Sequence, residues 1–192
     1  MIAALVLAAG AARRFGSPKL VQPVRGEPLV RASVERVLAA GPERTIVVVG
    51  HGATAVRRAL AGLDVQIVTN PRPDDGLSSS LRAGLAAVPS NAVAVLIALG
   101  DQPITHDEVI PALIARFGGN DVAIVAPKYS GDQGLPVVFS RAVFPELEAL
   151  TGDRGARSVV EADPARVAYV EFDFPMPPDV DTPGDLEFLM NS

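Results

Sequence analysis

Between Ala92 and Leu99 the chain runs through eight residues without one polar side chain. A run of that length and composition reads as a strand buried on both faces, the situation of a parallel sheet covered above and below by helices. The surrounding pattern agrees. Strand-length apolar runs at Ile2 to Leu7, Thr45 to Val49 and Val65 to Thr69 alternate with segments of helical periodicity. Pro28 to Ala40 places Leu29, Ala32, Val34, Val37 and Leu38 near one helical stripe and stops at Gly41-Pro42, and Ala53 to Ala61 and Ser79 to Val88 behave alike. The order is that of a doubly wound α/β sheet. Beyond residue 120, Val122 to Ala126 and Leu135 to Phe139 read as shorter strands of an antiparallel or edge hairpin whose loop overhangs the sheet. Helices are expected near Asp107, over Ala142 to Leu150, Ala156 to Glu161 and Pro183 to Met190, with a strand at Val167 to Phe172.

In such sheets ligands bind outside the carboxyl ends of the strands, and the unusual segments fall there. The first strand leads into Leu7-Ala8-Ala9-Gly10-Ala11-Ala12-Arg13-Arg14-Phe15-Gly16-Ser17-Pro18-Lys19. Small residues let backbone N–H groups approach an anion, and Arg14 and Lys19 add charge. Lysine is scarce: of 17 basic residues only Lys19 and Lys128 are lysines, and one of them lies in this loop. Two other phosphate loops do not match. A dinucleotide loop needs G-x-G-x-x-G, and a Walker loop needs Gly-Lys-Ser/Thr opening a helix; neither is present.

Length suits one domain over 1–192. A net charge of −5 without a basic block argues against nucleic acid as a partner. No run approaches the roughly 20 apolar residues of a membrane span, and the N-terminus lacks the order of a signal peptide, so the expected compartment is the cytoplasm. Without cysteine, thiolate nucleophiles, disulfides and zinc–thiolate sites are excluded, and two histidines leave little for a histidine metal centre. His51 and His106 read as structural or surface groups. No Gly-x-Ser-x-Gly elbow is present, which removes the serine-hydrolase reading.

Asp101, in Gly100-Asp101-Gln102-Pro103, emerges from the most apolar strand. A carboxylate there needs a partner or a cation, and magnesium takes one or two carboxylates together with substrate phosphates. A second carboxylate is expected from Asp179-Val180-Asp181-Thr182-Pro183-Gly184-Asp185. Thr182, Pro183 and Asp185 are accounted for as the start of a helix. Asp179 and Asp181 are then the candidates, Asp181 being preferred for its nearness to that helix.

With the loop, Gly-Asp-Gln-Pro and Asp-Val-Asp-Thr-Pro in this order, the chain resembles the MobA-like nucleotidyltransferases. Within them it is similar to the molybdenum cofactor cytidylyltransferase (MocA-like) branch. Asn70-Pro71 leading to Gly76-Leu77-Ser78-Ser79-Ser80-Leu81-Arg82-Ala83-Gly84, Gly134-Leu135-Pro136-Val137-Val138-Phe139 and Gly152-Asp153-Arg154-Gly155-Ala156-Arg157 extend the resemblance over nearly the whole chain. The resemblance implies a three-layer Rossmann-like nucleotidyltransferase fold, a mostly parallel sheet with helices on both faces. It also implies transfer of a nucleoside monophosphate to an acceptor phosphate, with pyrophosphate leaving and Mg2+ as cofactor.

Carried residue by residue, the resemblance makes Arg14, Lys19 and Asp101 catalytic. It gives nucleotide binding to Leu7, Ala8, Ala9, Gly10, Arg14, Lys19, Asn70, Gly76, Ser78, Ser79 and Ser80. Asp101 and Asp181 hold the metal, and Gln102, Arg154 and Arg157 meet the acceptor. Ala9 stands before the single glycine, where GTP-using members tend to carry a second glycine, and this favours CTP. The implied acceptor is a phosphorylated pterin, molybdopterin or the molybdenum cofactor, with a molybdenum enzyme as an eventual partner. Leu135 stands where the branch often carries asparagine. The alternatives are a guanylyltransferase of the same family, a non-catalytic protein that binds the molybdenum cofactor or a nucleotide, and an NAD(P)H-dependent reductase on this scaffold.

Overall fold

The computed structural model describes residues 1–10, 19–102, 106–118, 122–177, 180, 182 and 184–185. The chain opens with β1 (Ile2–Ala8), followed by a 3-10 turn at Lys19–Val21 and the small antiparallel ribbon β2 (Pro23–Val24) and β3 (Glu27–Pro28). Then come α1 (Leu29–Ala39), β4 (Arg44–Val49), α2 (Ala53–Ala59), β5 (Gln66–Thr69), α3 (Leu77–Leu85) and β6 (Ala94–Leu99). The second half contains α4 (Val109–Phe117), β7 (Ile124–Tyr129), β8 (Asp132–Gln133), β9 (Val137–Ser140), α5 (Phe144–Glu148), α6 (Arg157–Ala162) and β10 (Val167–Phe172).

The main sheet runs β10-β7-β9-β6-β1-β4-β5, with β8 added to β7. β1 pairs in parallel with both β4 and β6, β4 with β5, and β7 with β10. β9 is antiparallel to β6 and to β7. Of the two readings, an antiparallel or an edge hairpin, the antiparallel one is borne out. β9 is inserted between β6 and β7, and the edge beyond them is β10. Val137, Val138 and Phe139 are fully buried, as fits a strand paired on both sides and covered on both faces.

Alternation along the strands sends residues to two cores. Leu5, Leu7, Ile46, Val48, Val95 and Ile97 pack with Leu81 and Leu85 of α3, Leu147 of α5 and Val160 of α6. Ala4, Val6, Val47, Leu96 and Ala98 pack with Val30 and Val34 of α1, Val56 of α2 and Leu113 of α4. The central strands thus read as unbroken apolar runs because both faces are covered. Pro111 in α4 falls in the first turn, where its missing N–H has no intrahelical partner to lose. α1 ends before Gly41 at φ 74°, whose N–H donates to the Leu38 carbonyl, a left-handed helix stop of the expected kind.

Val167 to Phe172 is the strand read in the sequence, and other boundaries shift by at most three residues. Ala142 to Leu150 divides into a 3-10 turn at Arg141–Val143 and the short α5. β2, β3 and β8, each two residues long, carry too little pattern to be seen beforehand. Most of Pro183 to Met190 lies outside the described residues. At its start Thr182 N–H and Oγ1 donate to Asp185 Oδ2 at 2.7 and 2.9 Å, while Asp185 N–H donates back to Thr182 Oγ1 at 3.3 Å. That reciprocal pair is the expected helix start.

Candidate active site

Because β1, β4, β5 and β6 are parallel and in register, with Ala8 opposite Val49, Val49 opposite Thr69 and Leu7 opposite Leu99, their carboxyl ends share one rim. Leu7, Ala8 and Ala9 are buried there, and Gly10 is exposed. Among the described residues a Cβ at Gly10 would meet nothing within 4 Å. Arg14 lies outside the described residues, as do Asp179 and Asp181.

Lys19 and Asp101 meet on this rim. The ammonium Nζ lies 2.8 Å from Asp101 Oδ2, with the side chains 11% and 24% exposed. Asp101 is held from behind. The N–H of Gly100 donates to the Leu7 carbonyl at 2.9 Å, and the Gly100 carbonyl accepts from Ser33 Oγ at 3.1 Å. Ser33 was not among the expected site residues, although a buried serine within the apolar stripe of α1 is a sequence signal for such a buttress. The second carboxylate oxygen, Asp101 Oδ1, is buried without a hydrogen-bond partner. A buried anionic oxygen with nothing donating to it is costly unless a cation meets it.

Gln102, next in the chain, borders a narrow crevice with Ser33, Arg36 and Pro136. Neither His51 nor His106 joins the Lys19–Asp101 pair. His51 Nε2 lies 3.2 Å from Asp74 Oδ1, and His106 stacks on Phe174 with ring centroids 3.6 Å apart.

The segment after β5 is self-locked. Asn70, buried, donates from Nδ2 to Ser79 Oγ at 2.7 Å and to Ser80 Oγ at 3.0 Å, and its Oδ1 accepts from the Arg72 N–H at 2.9 Å. The Ser79 hydroxyl lies 2.8 Å from the carbonyls of both Arg72 and Gly76. These groups set the shape of the turn leading into α3. Ser78 is fully buried, and its hydroxyl has no partner.

A second contact joins the two loops expected to serve nucleotide and acceptor. Gly76 has φ 87° and ψ 179°, a conformation essentially closed to other residues. A Cβ there would stand 2.4 Å from the Gly152 backbone and 2.8 Å from Asp153 Oδ1. The Ser78 N–H donates to the Gly152 carbonyl at 3.1 Å, and Arg82 Nη1 donates to the Leu150 carbonyl at 2.5 Å. Of the two arginines expected at the acceptor, Arg154 is exposed, and Arg157 pairs through Nε with Glu161 Oε1 at 2.8 Å on its own helix. The glycines of the two loops were legible in the sequence, but their mutual contact had no local signal.

The model for the MobA-like NTP transferase domain matches residues 4–167. The chain belongs to that family. Its MobA-like NTP transferase domain is that of a nucleotidyltransferase, and the match runs from β1 into the start of β10. The bifunctional protein GlmU of Halorhodospira halophila is 35% identical over 169 residues, which is 87% of this chain and 35% of that protein. The chain thus spans about a third of that relative's length.

Among solved structures, Rv0371c from Mycobacterium tuberculosis superposes with a TM-score of 0.90 at 33% identity, covering 100% of this chain and 98% of that one. The same protein has been solved in complex with manganese. A nucleotidyl transferase from Methanothermobacter gives a TM-score of 0.85 at 27% identity, covering 100% and 96% of the two chains. The MobA-like sheet with its helix layers is therefore shared from end to end. No helix among the described residues is long and apolar enough to cross a membrane.

Proposed function

We propose that the protein transfers CMP from CTP to the phosphate of a pterin-type acceptor, molybdopterin or the molybdenum cofactor, in a magnesium-dependent reaction that releases pyrophosphate. The observation carrying this reading is Asp101, at the end of β6 beside β1, with one carboxylate oxygen on Lys19 and the other buried and unpartnered. Magnesium is commonly held by one or two carboxylates and otherwise by water and substrate phosphates. Asp101 fits the ion as its anchor, and Asp181 is proposed as the second carboxylate. A relative 33% identical to this chain has been crystallised with manganese, in keeping with a divalent cation.

When bound, the cation would neutralise charge on the phosphates as the transfer proceeds. The protein's own part is positioning. An oxygen of the acceptor phosphate attacks the α-phosphorus, the α–β phosphoanhydride bond breaks, and its electron pair leaves on pyrophosphate. No general base is required, because the acceptor phosphate is already ionised. Arg14 and Lys19 are proposed to hold the leaving phosphates, so that charge is met by prearranged donors. Leu7 to Gly10 line the phosphate side, Asn70, Gly76 and Ser78 to Ser80 shape the nucleoside side, and Gln102, Arg154 and Arg157 face the acceptor. The reading takes residues 1–192 as one domain acting in the cytoplasm and delivering product to a molybdenum enzyme.

The test is thermal stabilisation by CTP, GTP, ATP and NADPH, each with and without magnesium. Ligand at about 100 times its dissociation constant adds roughly 2.7 kcal/mol, readily seen in a melting curve. A magnesium-dependent shift greatest for CTP, followed by pyrophosphate release with molybdopterin, is the expected result. A greatest shift with GTP overturns the cytidylyl assignment. A shift with NADPH alone, or none with any triphosphate, overturns nucleotidyl transfer.

A further inference from the structure

Asp101 has two oxygens in different situations. Oδ2 is neutralised by the Lys19 ammonium at 2.8 Å, with both side chains largely withdrawn from water, while Oδ1 is buried without a hydrogen-bond partner. A carboxylate so placed is costly without a counter-charge, and Lys19 supplies one from within the chain. An ammonium and a divalent cation held by the two oxygens of one carboxylate repel each other, so each weakens the other's binding. A metal ligand bond to oxygen is near 2.0–2.1 Å for magnesium, and a dication drawn to either oxygen meets the positive charge of Lys19 a few ångströms away.

We propose that Lys19 is the resident counter-cation of Asp101, occupying the carboxylate until a triphosphate draws the ammonium away. Lys19 thereby makes metal binding conditional on nucleotide. This rests on the reading of Asp101 as the metal-holding residue given above. The lysine stem is flexible and its head is a compact point charge with three rotatable donors, so the ammonium can transfer from carboxylate to phosphate while the backbone of Lys19–Val21 stays in place. Nucleotide-free protein then holds divalent cation weakly, and the triphosphate both supplies phosphate ligands and vacates the carboxylate. By linkage the effect is reciprocal, the cation raising the affinity for triphosphate by the same factor.

The experiment is a titration of the nucleotide-free full chain with Mn2+, read by the electron paramagnetic resonance of the free ion. Wild type, Lys19→Met, Asp101→Asn and the double variant are compared. Lys19→Met is expected to bind Mn2+ at least about tenfold more tightly than wild type, and the double variant is expected to lose that binding. In EDTA, Lys19→Met should melt below wild type, and added Mn2+ should restore it. If Lys19→Met binds Mn2+ no more tightly than wild type while Asp101→Asn abolishes binding, the counter-cation role is overturned and the metal reading stands. If Asp101→Asn binds Mn2+ as wild type does, the metal reading falls, and this proposal with it. Should Lys19→Met fail to fold by circular dichroism, Lys19→Gln, which keeps a polar head against the carboxylate, takes its place with the same expected direction.

Discussion

The side-chain amide of Asn70 reaches the Ser79 hydroxyl at 2.7 Å and so ties the end of β5 to the first turn of α3. Asn70 is only 3% exposed. Its removal would leave the Arg72 N–H and the Ser80 hydroxyl without the partners that Asn70 gives them. Asn70→Ala is therefore expected to cost about 2–3 kcal/mol, the cost of stranded buried polar groups added to lost packing. Urea denaturation with an unchanged m-value would check it. A loss below about 0.5 kcal/mol would show that the turn is held by other means.

Gly76 presses on Gly152 from a conformation that has no room for a side chain. Gly76→Ala combines backbone strain with a contact of 2.4 Å to backbone atoms. The 152–157 loop must move away from α3 to relieve it. A destabilisation of about 3 kcal/mol is expected, accompanied by faster amide exchange at Gly152 and Asp153. Unchanged exchange there would mean that the two loops are not mechanically joined.

The contrast between these two positions bears on what a sequence exposes. The alternation of apolar runs with helical stripes revealed the parallel core, because Leu5, Val48 and Ile97 obey a periodicity set by burial on each face. The Lys19–Asp101 rim was legible in outline, since topology brings the ends of adjacent parallel strands together. Their 2.8 Å pairing across 82 residues of sequence was not, because side-chain partnership depends on distances that no local pattern encodes. The same holds for Ser33 beneath Gly100 and for Arg82 on the Leu150 carbonyl. The antiparallel pairing of β9 was legible, whereas its position between β6 and β7 was not, because its length and turn residues carry no information on which neighbours it finds.

Arg166 grips Glu146 through its two terminal guanidinium nitrogens, with Nη1 2.6 Å from Oε1 and Nη2 2.5 Å from Oε2. The hydrogen bond from Arg166 holds the Glu146 carboxyl below its ordinary value. A lowered folded-state pKa means stability present above the unfolded pKa and lost as pH falls through the folded one. The carboxylate is 45% exposed, so solvent screening limits the gain to a few tenths of a kcal/mol. Glu146→Gln is expected to melt slightly below wild type at pH 7, and the gap should close as both are acidified below the ordinary carboxylate range. A gap that widens in acid would contradict the sign. Added salt should shrink the gap at pH 7.

Asp101→Asn keeps the size of the side chain and its place behind Gly100 and Ser33, and it removes the charge that meets Lys19 and that is proposed to hold the divalent cation. Turnover is expected to fall by about two to three orders of magnitude or more, as when a group that meets developing charge is lost. The fold itself should persist, since the strand behind Asp101 is fixed by the Gly100 hydrogen bonds to Leu7 and Ser33. The Lys19 ammonium, now facing a neutral amide, would lose a charged partner at 2.8 Å, so a moderate drop in melting temperature is expected as well. Steady-state release of pyrophosphate, read beside circular dichroism and a melting curve, separates the two effects. Full activity in a folded Asp101→Asn protein would remove Asp101 from the chemistry, whereas lost activity with near-native melting would place its role in the reaction and not in the scaffold.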